Sequence, residues 1–468
     1  DYLIVYAFLL VILVMGLRAG WNVKDIREYA IANKTFGTGA LVLTLLATNI
    51  AGYSVLSDSA SVFSDGIIMT ITLFSVSISF CVVALLVAPK FAFFDDCITM
   101  GDLMDQFYGT SSGILAGILG LLNAVFLSGM ELVVLGIICE TLLGIRASWG
   151  TAVGGLVLAT YVAHGGIKSV TITDVLQFMV LAIFIPLIAY MAVSKVGSIE
   201  AVFTQVPTER LAIFSHPNFS FYLTLFLMWL VPAGIIDPAL IQRLLMAKHG
   251  RQLRDQYLIA AAFDPTFRLV IMLIGLAGLV LYPHVEAKHV LPTIIHELLP
   301  VGIKGMAMAG VLAVCMSTID SYIHAAGLTL VHDVVRPICV QRGMAINELK
   351  WVRYGTVVVG LAAIAIGLCT TDIIGLAFNA LEFTGPLLMF PLLSGVMGLK
   401  TDKRSFYTAL WSTLVAFGMA KWLLPSAYSH FTILISTVVN GAAFFGTHVL
   451  QHGGFAVVRR EPATTRTA

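Results

Sequence analysis

The stretch Leu46-Ala47-Thr48-Asn49-Ile50-Ala51-Gly52-Tyr53-Ser54, running on to Ser57 and Asp58, decides the fold. It sits inside an apolar run, residues 38–64, that is long enough to cross a bilayer. Yet the middle of that run carries an amide, hydroxyls, a glycine and a carboxylate. Broken backbone at membrane depth is tolerated only where protein buries it or where it lines a cavity. Two further stretches have the same character: Trp229-Leu230-Val231-Pro232-Ala233-Gly234 with Asp237-Pro238, and Cys315-Met316-Ser317-Thr318-Ile319-Asp320-Ser321.

The surrounding chain is 59% hydrophobic and 11% charged, with a mean hydropathy of +0.94. Soluble domains are about a quarter charged, so this is the composition of a membrane protein. Crossing ~30 Å of hydrocarbon takes about 20 apolar residues in a helix. Apolar runs fall at 2–17, 38–64, 67–89, 112–143, 148–163, 171–194, 219–246, 262–282, 301–331, 351–370, 374–399, 405–423 and 429–450. They are too long and too continuously apolar for barrel strands, so helix is expected throughout. The net charge of +1 offers no field for nucleic acid, and none is expected as a partner. The six cysteines are scattered without ligand spacing, and no metal cluster of cysteine and histidine is expected. No phosphate-cradling glycine loop and no nucleophile–base spacing occur, so neither ATP coupling nor enzymatic chemistry is expected.

Lysine and arginine set the orientation. With the amino terminus outside, alternate loops carry Arg18, Lys24, Arg27, Lys34, Lys90, Lys168, Lys248, Arg251 and Arg254, with more at 336–353, 400–404 and 459–460. The opposite loops hold only scattered cations such as Arg146, Lys195, Arg210 and Lys288. The expectation is a monomer in the lipid of the plasma (inner) membrane, amino terminus outside and carboxyl terminus cytoplasmic. Residues 1–16 lack a basic leader and cleavage site and read as a retained helix. No linker divides the chain, so 1–468 reads as one domain with 455–468 as a cytoplasmic tail. Residues 90–105 read as an interfacial connection on the inner face, and 283–300 as a helical cap on the outer one.

The first two breaks open the second and seventh runs, five apart. That is the pattern of an inverted repeat whose leading helices are broken at the midplane. The fold expected is therefore an all-α membrane protein of about thirteen transmembrane helices. It has a 5+5 inverted-repeat transporter core, about 36–194 and 219–399, with one helix before and two after.

Three motifs carry a resemblance to a family. Gly165-Gly166-Ile167-Lys168-Ser169-Val170 with Thr173-Asp174-Val175-Leu176-Gln177 resembles a GG-x-x-(A/S)-V…TD-x-x-Q signature. Lys304-Gly305-Met306-Ala307-Met308-Ala309-Gly310, on through Ser317-Thr318 to Asp333, resembles a G-x-x-x-A-G…S-(S/T)…D helix. Gln242-Arg243 with Ala247-Lys248 resembles an R-x-x-x-A-(K/A) segment. These are motifs of the sodium/solute symporters, which include proline, sialic acid and sodium-glucose carriers.

The resemblance implies a sodium site built from carbonyls of the first core helix, at Ala47 and Ile50, and of the eighth, at Val314, with the hydroxyls of Ser317 and Thr318. Na⁺ is a hard cation, and an unwound helix frees carbonyls to bind it. A second cation or proton site, present in some members, maps to Asp174, Asp320 and Ser321. Asp320 departs from the usual serine and stands four residues before His324, so a proton relay is an alternative there. The function expected is sodium-coupled import of a small polar solute by alternating access, with Na⁺ or H⁺ as the coupling ion. A proton-coupled or ion-independent carrier, or the transporter-like part of a sensor, stays open. Expected substrate-lining residues are Asn49, Tyr53, Asp58, Phe126, Glu131, Trp229 and Asp237. Two departures count against proline as solute. Ser57-Asp58-Ser59-Ala60 stands where proline carriers have G-L-P-G, and Ile236-Asp237-Pro238-Ala239 where they have G-Q-P-H. The carboxylates Asp58, Glu131, Asp237 and Glu382 in apolar runs favour a cation, because a central charge costs ~2.5–3.5 kcal/mol and is a functional signal.

Overall fold

The structure is a computed structural model, and it describes residues 1–230, 233–370, 373–400, 402–425, 428 and 430–454. Val231, Pro232, the tail 455–468 and the Glu382 side chain lie outside the described residues. Among the described residues all the regular elements are helices, as an apolar chain must adopt when its backbone groups cannot reach water. A helix lies on each of the thirteen expected runs, from Tyr2–Gly20 to Phe431–His452. By length and apolar character alone, however, eight described helices can cross a membrane, or nine if the bent pair Ile26–Lys34 and Thr38–Asn49 is one span. That measure does not reproduce the count of thirteen, and two of the shortfalls have a visible cause. Ala147–Val196 is one element bent at Gly166, where two runs were expected, and the broken helix starting at Phe219–Trp229 offers only 11 continuous residues.

The helix Ile303–Thr329 is the centre of the molecule and is buried on nearly every face between Ala307 and Thr329. It packs chiefly on Ala147–Val196 and Thr110–Leu143. Lys403–Leu423 and Phe431–His452 pair with each other, and the second of them packs on Ile373–Val396. On the expected inner side, Met100–Tyr108 begins with a reciprocal capping box between Thr99 and Asp102. On the expected outer side, Val290–Leu298 forms a short helix where a cap was expected.

The first break is explicit. Thr38–Asn49 ends as Ile50 leaves helical geometry at φ −85° and ψ 80°. The chain resumes as the π-helical turn Ser54–Asp58 and continues into Ser59–Asp65. Gly52 is required at the break, because a Cβ there would stand 2.2 Å from Cys315 Sγ. The second break separates Phe219–Trp229 from the short Ala233–Ile236 and from Pro238–Leu245. Asp237 caps the last of these, its Oδ1 accepting from the N–H groups of Ala239 and Leu240 at 2.8 and 2.9 Å. Gly166, in the bend of Ala147–Val196, has φ 57°, and a Cβ there would lie 2.5 Å from the Tyr29 carbonyl.

Candidate functional site

The break at Ile50 interrupts the carbonyl ladder of its helix, and the central helix takes up what is freed. Ser317 Oγ lies 3.0 Å from the Ala47 carbonyl and 2.9 Å from that of Val314, with one proton to give. Thr318 Oγ1 is 3.3 Å from the same Val314 carbonyl. Ala47, Ile50, Val314, Ser317 and Thr318 are each at most 2% exposed. Four of the five expected sodium ligands are thus linked by hydrogen bonds in a buried setting, and Ile50 sits at the break itself. The donors are neutral carbonyl and hydroxyl oxygens without a carboxylate among them. That set fits a hard monovalent cation, since a divalent one draws on carboxylates.

The residues expected at a second cation site also converge, but around a guanidinium. Arg243 is fully buried and lies 3.1 Å from Asp174 Oδ2, which is itself fully buried. The same Arg243 nitrogen donates to Ser321 Oγ, and another donates to the Ala239 carbonyl at 3.1 Å. Thr44 donates to Asp174, and Thr48 pairs with Ser321 at 3.1 Å. Asp320 takes hydrogen bonds from Tyr161 at 2.5 Å and Thr173 at 3.4 Å. It has no basic side chain at ion-pair distance among the described residues. His324 does not reach Asp320; its Nε2 faces the Tyr29 carbonyl at 3.1 Å, so the relay from Asp320 is not formed.

A cavity of about 190 Å³ opens beside the break. Asn49, Tyr53, Asp58, Glu131, Trp229 and Asp237 line it, as expected from the sequence. Phe126 does not; it packs instead against the apolar cluster of Ala124, Leu127 and Met130. Thr318 lines the cavity too, so the wall is shared with one of the expected ion ligands. The carboxylates are all engaged. Glu131 accepts the Tyr53 N–H at 3.0 and 3.2 Å, just past the break, where helix termini leave N–H groups unsatisfied. Asp237 Oδ2 accepts from Tyr322 at 2.8 Å. Asp58 pairs with Arg268 at 3.0 Å. Arg268 also holds Asp264 at 3.1 Å, and Asn49 donates to Asp264 at 2.6 Å.

On the expected inner side a polar clamp joins three helices. His332 contacts Asp102 at 2.9 Å through Nε2 and Glu348 through Nδ1, while Thr99 donates to Asp333 at 2.5 Å. Burial pushes the Asp102 carboxyl up, but the hydrogen bond and charge of His332 outweigh it and hold Asp102 below the usual carboxylate range.

Asp264, Arg268, Tyr161, Thr44 and Tyr322 were not singled out from sequence. Asp264 and Arg268 carried a usable signal, an oppositely charged i,i+4 pair inside an apolar run. The others are ordinary residues made important by helices far apart in the chain.

Among solved structures, a Na⁺-coupled sialic acid symporter in a substrate-bound, outward-open state aligns over 96% of this chain and 97% of its own, with a TM-score of 0.80 at 18% identity. A nucleobase-cation-symport-1 family transporter in a closed conformation aligns over 92% and 96%, with a TM-score of 0.59 at 14% identity. Both share the fold. A sodium/proline symporter of Staphylococcus aureus is 24% identical over 416 residues, covering 84% of this chain and 81% of the relative. The pattern of one family, described as the Sodium:solute symporter family, matches residues 29–416. The match spans most of the chain, including both breaks and the central helix, and the chain belongs to the Sodium:solute symporter family.

Proposed function

We propose that Na⁺ binds among the carbonyls of Ala47, Ile50 and Val314 and the hydroxyls of Ser317 and Thr318, and that its inward gradient drives a small polar solute from the adjoining cavity. As a family member the chain is a sodium-coupled symporter that works by alternating access, multi-pass in the membrane. The observation that carries the choice of residues is the Ser317–Ala47 contact, which joins the break to the central helix. An ion held there by oxygens of both helices would fix their relative position. The solute, bound against Thr318 and Asn49, would then feel whether the ion is present. Closing the outer half and solvating the ion from inside would release both. The chain is read as one domain with repeats at about 36–194 and 219–399. It is read as a monomer in the plasma (inner) membrane, amino terminus outside and carboxyl terminus cytoplasmic.

A second reading concerns the coupling ion. Asp320 is fully buried and has no basic partner at ion-pair distance among the described residues, so it is the place where H⁺ would be carried, beside Asp174 and Ser321. Uptake into proteoliposomes under an imposed Na⁺ gradient or an imposed pH gradient separates the two. Sodium coupling predicts accumulation with the Na⁺ gradient alone. Accumulation that follows only the pH gradient would overturn it.

A further inference from the structure

In folds with broken membrane helices, the N-terminal end of a half-helix is where an anionic group of the solute is held. The reason is physical: unsatisfied N–H groups and about half a positive charge gather there. In this protein two helix starts beside the breaks, among the described residues, are already filled by its own carboxylates. Glu131 accepts the Tyr53 N–H at the start of the second half of the first broken helix. Asp237 accepts the Ala239 and Leu240 N–H groups at the start of Pro238–Leu245. The one cationic side chain in the cavity wall among the described residues, Arg268, is not free to take an acid either, because Asp58 and Asp264 hold it at 3.0 and 3.1 Å. Three carboxylates therefore face the cavity against one guanidinium. Glu131 is fully buried, whereas Asp58 and Asp237 keep a small exposed edge. The rings of Tyr53, Trp229 and Tyr322 line the same space, and aromatic faces attract ammonium groups.

We infer that the solute is a small organic cation, an amine or quaternary ammonium compound without a carboxylate, seated between Asp58, Asp237 and the three rings. This rests on the symport function proposed above. The protein's own carboxylates stand where a carboxylated solute would place its acid, so such a solute meets negative charge instead of open N–H groups.

The test uses the purified full chain and matched pairs of compounds that differ by a carboxylate: choline against glycine betaine, pyrrolidine against proline, and ethanolamine against serine. Binding is read as a saturable rise in the thermal unfolding midpoint, in Na⁺ and in K⁺. At least one amine should bind in Na⁺, at least tenfold more tightly than its carboxylated counterpart. Asp237→Asn, which keeps a capping side chain, and Asp58→Asn should each weaken that amine at least tenfold. Equal or tighter binding of the carboxylated members, no binding by any of the three amines, or unchanged amine affinity in both variants overturns the inference. Loss of the Na⁺ effect itself would instead count against the sodium reading, so the two failures are distinguishable.

Discussion

Ser317 Oγ and the Ala47 carbonyl meet at 3.0 Å across two helices that are 270 residues apart in the chain. The contact exists because the helix of Ala47 stops at Ile50, which releases that carbonyl from its own ladder. It is the place where broken backbone, hydroxyl and buried space coincide.

Gly52→Ala tests the break. The added Cβ would stand 2.2 Å from Cys315 Sγ and 2.8 Å from Glu131 Oε2. Overpacking of this kind costs about 1–3 kcal/mol, and here it also displaces the carboxylate that satisfies the Tyr53 N–H. Thermal unfolding in detergent should show a lowered midpoint and a weakened response to Na⁺. A variant with wild-type midpoint and wild-type Na⁺ response would show that the break does not need glycine.

Arg243 and Asp174 are both fully buried, so removing one leaves the other charge without its partner. Arg243→Met or Asp174→Asn alone should destabilise by about 3–5 kcal/mol, and the double variant by less than the sum. A double-mutant cycle measured by unfolding gives the coupling directly. Strict additivity would mean that the pair is not an energetic unit.

Much of this was legible in the sequence, and particular residues show where legibility ended. Gly52, Asp237 and the Ser317–Thr318 pair announced themselves as polar or flexible residues inside apolar runs. Their meaning is local, and a membrane makes such exceptions costly. Glu131 was visible as a carboxylate, but its role as acceptor for the Tyr53 N–H was not, because nothing along the chain links positions 78 apart. Arg243 was read only as part of a motif, and its insertion between Asp174 and Ser321 depends on three helices meeting. Phe126, expected to line the pocket, packs on a core cluster instead, since apolar residues on a helix point to core and cavity alike. A bend at Gly166 and two broken helices likewise blur what counts as one span.

The clamp of Asp102, His332 and Glu348 ties Met100–Tyr108 to the central helix and to Glu348–Cys369. His332→Ala should loosen it. Cys97 is fully buried and accepts from Gln106 at 3.2 Å beside the clamp, so its exposure reports the change. With the other cysteines replaced, labelling of Cys97 by a maleimide should be at least several-fold faster in His332→Ala. An unchanged labelling rate would mean that the clamp does not hold the inner side.

The most direct measurement is binding of radiolabelled Na⁺ to the purified chain, paired with its thermal stabilisation by Na⁺ over K⁺. For the unaltered protein, binding should be saturable, and a hundredfold excess over Kd should stabilise by about 2.7 kcal/mol. Ser317→Ala with Thr318→Ala should fold, since both hydroxyls can be lost without leaving a buried charge, and should lose both the binding and the stabilisation. Wild-type Na⁺ affinity in that double variant would contradict the central claim that these two hydroxyls and the Ala47 carbonyl hold the driving ion.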